Sequence, residues 1–261
     1  MAAAERRNPP QRLTAPARAL YNPLYQPHGG KSMKRSEINA IIRDADAFLR
    51  AQQFHLPPFA YWSPADWATK GEEVREIVDR ELGWDITDFG SGNYADTGLF
   101  IFTIRNSDPS PDRAIKNRLY AEKVLICDPN QKTPLHYHWF KCEDIINRGG
   151  GTLVVKCYNA TDDDAFDEST PVSVNIDGTQ KTFAPGELLR LQPGESITIT
   201  NRLYHTFWGE GSRVLVGEVS QANNDNTDNR FYTPVGRFPQ IDEDEEPLYL
   251  LCKDYPRYYR P

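Results

Sequence analysis

The sequence predicts a mainly β fold, a small barrel preceded by a helical extension, in one globular domain overall. Three observations carry this. From Leu99 onward the chain is a succession of short β-type runs separated by turn signals. No helical pattern intervenes between those runs, which sets aside a parallel α/β sheet. Helical spacing of apolar residues is confined to the segment upstream of Leu82.

In chain order, residues 1–32 contain five prolines and no apolar periodicity, and are expected to form a flexible arm. Residues 33–98 are expected as a helical lead-in packed on the barrel. Its first helix is capped by Ser36 and carries Ile38, Ile41, Ile42, Ala45, Phe48 and Leu49 at helical spacing. Pro57-Pro58 breaks it. Ser63-Pro64 then opens a second helical stretch, with Val74, Ile77, Val78 and Leu82 along one face. Leu82 to Gly98, rich in Gly, Asp and aromatics, is expected as loop. The barrel occupies 99–261, with strands at 99–105, 118–127, 133–140, 151–159, 172–176, 180–183, 187–191, 195–200, 204–208 and 213–220. Asp177-Gly178 is a two-residue hairpin signal. Many short, closely spaced strands suit a sandwich or barrel. The acidic runs 161–168 and 242–246 are expected as solvated surface. Gly149-Gly150-Gly151 precedes a strand rather than a helix, so it lacks the context of a phosphate-binding loop.

Composition narrows the function classes. No segment approaches the run of roughly 20 apolar residues needed for a membrane helix, and the N-terminus has no apolar core of a secretory signal. Net charge is −7. Residues 1–35 hold seven basic residues and one acid, leaving 23 basic and 36 acidic residues in the remainder. An acidic body argues against nucleic-acid binding. Cys127, Cys142, Cys157 and Cys252 form no CxxC pair and are expected as reduced thiols in a cytoplasmic protein.

The chemistry concentrates at His136-Tyr137-His138, followed by Glu143. Residues two apart on a strand point to one face, so both imidazoles face one point, with Glu143 joining from just beyond. Nitrogen and carboxylate donors make a site suited to Mn, Fe, Co, Ni or Zn. Among His28, His55 and His205, the last lies in a later strand, LYHTFW, and is taken as the fourth ligand. The spacing His136-x-His138-x4-Glu143-x6-Gly150 resembles the first motif of the cupin superfamily, which implies a cupin-like β-barrel (a double-stranded β-helix). The second cupin motif fits less closely, because Pro193-Gly194 precedes His205 by a longer interval.

A closer resemblance spans Met33 to Pro261. The runs TPLHYHWFKCEDIINRGGG (133–151), NRLYHTFWGEG (201–211) and GEVSQANNDNTDNRF (217–231) resemble the D-lyxose isomerase family. That resemblance implies a metal-dependent aldose–ketose isomerase interconverting D-lyxose and D-xylulose, or D-mannose and D-fructose. It further implies a divalent ion, commonly Mn²⁺, on His136, His138, Glu143 and His205, and a homodimer. Strand parity adds candidates for proton transfer. Glu218 shares a face with Val214 and Val216, and Lys123 with Leu119, Ala121 and Leu125, so both are expected inside the barrel as catalytic groups. The polar run 225–230 suits sugar hydroxyls, and Asp228 is chosen there for substrate binding, with Arg237 as a second candidate. Tyr137, Trp139, Phe207 and Trp208 offer stacking faces. An Fe(II) cupin oxygenase using the same ligands, or a non-enzymatic sugar-binding cupin, are the competing readings.

Overall fold

The computed structural model describes residues 32–108, 118–222 and 224–261, so the expected arm, apart from its last residue, lies outside the described residues. Strand β1 (Met33–Lys34) leads directly into α1 (Arg35–Ala51). Ile38, Ile42, Ala45 and Leu49 form one buried stripe on that helix. Its cap differs from expectation. Lys34 occupies the N-cap without a side-chain bond, and Ser36 lies in the first turn, where its backbone N–H and its hydroxyl donate to Asp244. The acidic run 242–246 is thus more than solvated surface. Glu243 and Asp254 accept from the fully buried Arg35 guanidinium, and Glu245 accepts from Asn39. Carboxylates are favoured at a helix N-terminus, and a buried guanidinium requires partners.

The second helical stretch is not continuous. Ser63 and Asp66 form a capping box on the short α2 (Pro64–Trp67). Gly71 then adopts an extended conformation, and the chain resumes as a 3-10 turn and α3 (Arg75–Asp79). The expected loop after Leu82 contains a strand, β2 (Gly83–Thr87), buried along its whole length. Both of its faces are covered, so no alternation of polar and apolar residues marks it.

The remaining strands are β3 (Leu99–Arg105), β4 (Tyr120–Cys127), β5 (His136–His138), β6 (Glu143–Ala160), β7 (Phe166–Asp167), β8 (Val172–Ile176), β9 (Thr179–Phe183), β10 (Leu188–Leu191), β11 (Ser196–Ile199), β12 (Leu203–Gln221), β13 (Asn229–Phe231) and β14 (Ile241–Asp242), before a short α4 (Tyr255–Tyr258). The main sheet runs β2-β3-β4-β12-β6-β11-β8-β9, with β5 on β12, β13 on β5, and β7 and β10 on β6. Two runs expected as separate strands, 204–208 and 213–220, are halves of the single strand β12. Likewise β6 begins at Glu143 rather than at 151. These long strands pair antiparallel along their full length, and each half of β6 takes a different further partner: β11 near Glu143, β10 near Val155. One strand therefore serves both layers, and the sheet curls into a cupin-like barrel.

The bend sits where the register slips between Glu210 and Val214, opposite Gly149–Gly151. Gly150 has φ +93°, and a Cβ there would collide with the carbonyl oxygen of Arg213. The triple glycine thus serves a close crossing of two strands.

Strand parity divides the core. Leu99, Ile101, Leu125, Val214 and Val216 point into the barrel with Ile145, Val155 and Phe207. Their neighbours Phe100, Phe102, Val124, Ile126 and Leu215 point outward beneath α1 and Trp84. The described residues contain no helix long and apolar enough to cross a membrane.

Replacing Arg35 by Met should leave the largely buried Asp254 without its cation, while Glu243 keeps Arg257. Stability to urea should fall by about 3–5 kcal/mol, the range for breaking a buried ion pair. A loss below about 1 kcal/mol would show that the pair behaves as an exposed one.

Candidate metal centre and active site

His136 and His138 lie on β5, and His205 lies opposite His136 on β12. The ligand atoms of the three rings all fall within 4.8 Å of one another, so the cluster could hold a metal ion. Glu143, at the start of β6, brings Oε1 to 3.4 Å from His138 Nε2 and 3.1 Å from His205 Nε2. On each ring Nδ1 faces a backbone carbonyl: Pro134 at 2.8 Å, Asp228 at 3.3 Å and Leu203 at 3.0 Å. Those acceptors assign the proton to Nδ1 and leave the Nε2 lone pairs for a metal, the arrangement that orients histidine ligands. His205 Nε2 is fully buried and has no hydrogen-bond partner among the described residues, with Glu143 Oε1 3.1 Å away. A buried lone pair beside a carboxylate oxygen calls for a cation between them. Burial, reinforced by the neighbouring His205 and His138, holds His136 well below the usual imidazole range. Burial, reinforced by Lys141, also lowers His138. Neutral rings of this kind suit a divalent ion.

Around these donors runs a chain of buried, alternating charges. Burial acts against the Glu143 carboxylate, yet Lys141, at 2.6 Å, and His138 keep it well below the usual carboxylate range. Lys141 also donates to Glu218 at 2.8 Å, and burial fails to neutralise it because Glu143, Glu218 and Asp225 raise its pKa. Glu218 lies opposite Lys123 on the β4–β12 ladder, 3.3 Å away, and Lys123 is equally close to Asp225. Asp225 is held ionised against burial by Lys123 and Arg237. Arg237 in turn reaches Asp85 at 2.5 Å and Asp225 at 3.2 Å.

The structure places the expected residues unevenly. His136, His138, Glu143, His205, Lys123, Glu218 and Arg237 all line one small cavity. Asp228 has a different post. Its carboxylate oxygens accept from the backbone N–H groups of Phe140 and Lys141, fixing the turn that carries Lys141 to the site. Among the four aromatic candidates only Phe207 lines the cavity. The Tyr137 hydroxyl donates to Asp164, on the far side of β5, so the acidic run 161–168 is also partly engaged. Phe89 and Phe231 line the cavity unannounced by the sequence, Phe231 with its ring 5.5 Å from that of His136. Lys141, Asp225 and Asp85 were not singled out either. Lys141 and Asp225 lie in turns, where parity gives no direction, and Asp85 sits on the strand read as loop.

The described region matches the model of the D-lyxose isomerase family over residues 33–255. The chain belongs to this family. A D-lyxose/D-mannose isomerase of Serratia proteamaculans is 48% identical over 229 residues, 87% of this chain and 99% of the relative. One of Escherichia coli O157:H7 is 44% identical over the same length, with 87% and 100% covered. Among solved structures, an L-ribose isomerase variant of Acinetobacter sp. DL28 with L-ribose superposes with TM-score 0.54 at 17% identity, over 81% of this chain and 98% of that one. The enzyme of Cellulomonas parahominis with L-psicose gives the same TM-score over 81% and 99%. At that identity the likeness is one of fold, and it fits the cupin-like barrel.

Titration calorimetry with Mn²⁺ should give one ion per chain. His205→Ala should weaken binding by more than the 10- to 100-fold typical of losing a supporting group behind a ligand. Equal affinity in the variant would move the fourth donor elsewhere. Lys141→Met should lower the melting temperature of metal-free protein, with saturating Mn²⁺ restoring most of the loss by supplying the missing positive charge beside Glu143. Equal destabilisation with and without metal would show that the ion and Lys141 do not share that carboxylate.

Proposed function

We propose that the chain is a metal-dependent aldose–ketose isomerase that interconverts D-lyxose with D-xylulose and D-mannose with D-fructose. The observation that carries this reading is the convergence of four metal donors with a buried carboxylate, Glu218, flanked by two ammonium groups at 3.3 and 2.8 Å. The names of the family relatives support the sugars. His136, His138, Glu143 and His205 would hold the ion, for which Mn²⁺ is the first choice by donor type. When bound, such an ion polarises the substrate carbonyl as a Lewis acid.

Every other part of the reaction belongs to the chain's own groups. Glu218 takes the proton from C2 of the aldose, giving an enediol, and returns it to C1 to form the ketose. Across the two steps one proton leaves O2 and one arrives at O1, so the exchange is balanced without a co-reactant. Lys123 Nζ stands beside Glu218 and can donate hydrogen bonds to the sugar oxygens as charge builds on them. Lys141 acts through the two carboxylates it bridges, holding Glu218 in place. Arg237 Nη1 is a buried donor without a hydrogen-bond partner among the described residues, on a side chain that lines the same cavity, which suits a sugar hydroxyl. The apolar wall of Phe89, Phe207 and Phe231 keeps the reacting carbons out of bulk water.

This set favours proton transfer over an Fe(II) oxygenase, which has no use for a carboxylate held between two lysines. Four free thiols fit a cytoplasmic protein. Tyr120 and Val219, exposed together on the outer face of the β4–β12 pair, suit a homodimer contact.

The test is Glu218→Gln, which keeps shape and removes the base. Metal content and melting temperature should persist, while conversion of D-lyxose falls by about 10²- to 10⁴-fold, the range of general acid–base catalysis. Turnover at the parent rate with metal bound would remove Glu218 from this role.

A further inference from the structure

Glu143 divides its two oxygens between different neighbours. Oε1 is the one turned to the imidazoles, 3.4 Å from His138 Nε2 and 3.1 Å from His205 Nε2. Oε2 is paired with the Lys141 ammonium at 2.6 Å. That ammonium is held in place by more than Glu143. The Lys141 backbone N–H donates to the Asp228 carboxylate, as does that of Phe140, so the turn is fixed by a residue outside the donor set. Lys141 Nζ also donates to Glu218 at 2.8 Å, and its side chain is only 2% exposed. Drawing Oε2 away would leave this buried ammonium with Glu218 alone, which is itself shared with Lys123 at 3.3 Å. Withdrawing a partner from a buried charge is costly. A carboxylate can offer a metal one oxygen or both. Here the second oxygen is already engaged.

We propose that Lys141 is a positioning residue that limits Glu143 to one-oxygen ligation of the metal and so keeps a coordination position open. The inference rests on the reading of His136, His138, Glu143 and His205 as metal ligands. Mn²⁺ favours roughly six donors. Three imidazoles and one carboxylate oxygen leave two positions to exchangeable ligands, and a second carboxylate oxygen would leave one. Two is the number an aldose requires if the oxygens on C1 and C2 are both to reach the ion. Lys141 thus serves the reaction through Glu143 and need not touch the sugar.

The test counts water on the ion. The Mn²⁺-loaded parent, Lys141→Met and Lys123→Met are compared by electron spin echo in D₂O, and Mn²⁺ affinity is measured by calorimetry. The parent should hold two exchangeable waters and Lys141→Met one, because Oε2 is then free to turn to the ion. Mn²⁺ should also bind at least about tenfold tighter to Lys141→Met, which gains a ligating oxygen and loses a repelling charge. Lys123 pairs with Glu218 and Asp225 rather than with Glu143, so Lys123→Met should keep two waters. Two waters in Lys141→Met, or one in the parent, overturns the inference. A water lost equally in Lys123→Met does so too, since the effect would then belong to buried charge in general. Should Lys141→Met not fold, a crystal of the Mn²⁺-loaded parent decides. Oε1 alone on the ion with Oε2 still on Lys141 supports the inference, and both oxygens on the ion refute it. A parent that takes up no Mn²⁺ removes the metal reading and this inference together, whereas bound Mn²⁺ with a chelating Glu143 removes this inference alone.

Discussion

Seven ionisable side chains in one line, Asp85, Arg237, Asp225, Lys123, Glu218, Lys141 and Glu143, constrain everything else in this barrel. Burying any one of them alone would cost several kcal/mol. Alternation of sign is what makes the line tenable, since each charge has an opposite neighbour within 3.3 Å. Counted as ionised, four acids and three bases leave one negative charge, and it borders three imidazoles. A divalent cation would turn that surplus into one positive charge. That positive charge would stand beside the substrate oxygens, where negative charge builds as Glu218 takes the proton, which is the direction catalysis requires.

The fold is arranged to hold that line. Lys123 and Glu218 face each other because β4 and β12 pair in a register that puts both on the inner face. His136 and His205 meet through the single pairing of β5 with β12. Glu143 opens β6, whose long pairing with β12 is possible only because Gly150 lets the two backbones pass closely. Asp228 fixes the turn that delivers Lys141. The apolar groups between these points, such as Val214, Val216 and Ile145, exclude the water that would otherwise weaken each attraction.

Much of this was legible before any coordinates. Period-two spacing puts His136 and His138 on one face, and parity with Val214 and Val216 sends Glu218 inward, because a strand leaves a side chain only two directions. The barrel class followed from the succession of short strands. What escaped notice lies where that rule has no grip. Lys141 and Asp225 sit in turns, and Asp228 looked like a ligand for sugar hydroxyls when its carboxylate is occupied by two backbone amides. β2 has the sequence of a loop because both its faces are covered, which erases the alternation that marks a half-buried strand. Ser36 resembled a helix cap, but a competing carboxylate, Asp244, drew its hydroxyl away. The second helix broke at Gly71, where propensity outweighed the apolar spacing on either side.

A metal at the three imidazoles and Glu143 would complete the charge line. Anomalous diffraction at the manganese edge, from crystals grown with Mn²⁺, tests it most directly. One strong peak per chain is expected, bonded to the Nε2 atoms of His136, His138 and His205 and to the Glu143 carboxylate. A vacant centre in crystals whose protein converts D-lyxose, or a peak held only by an acidic loop such as 161–168, would contradict it.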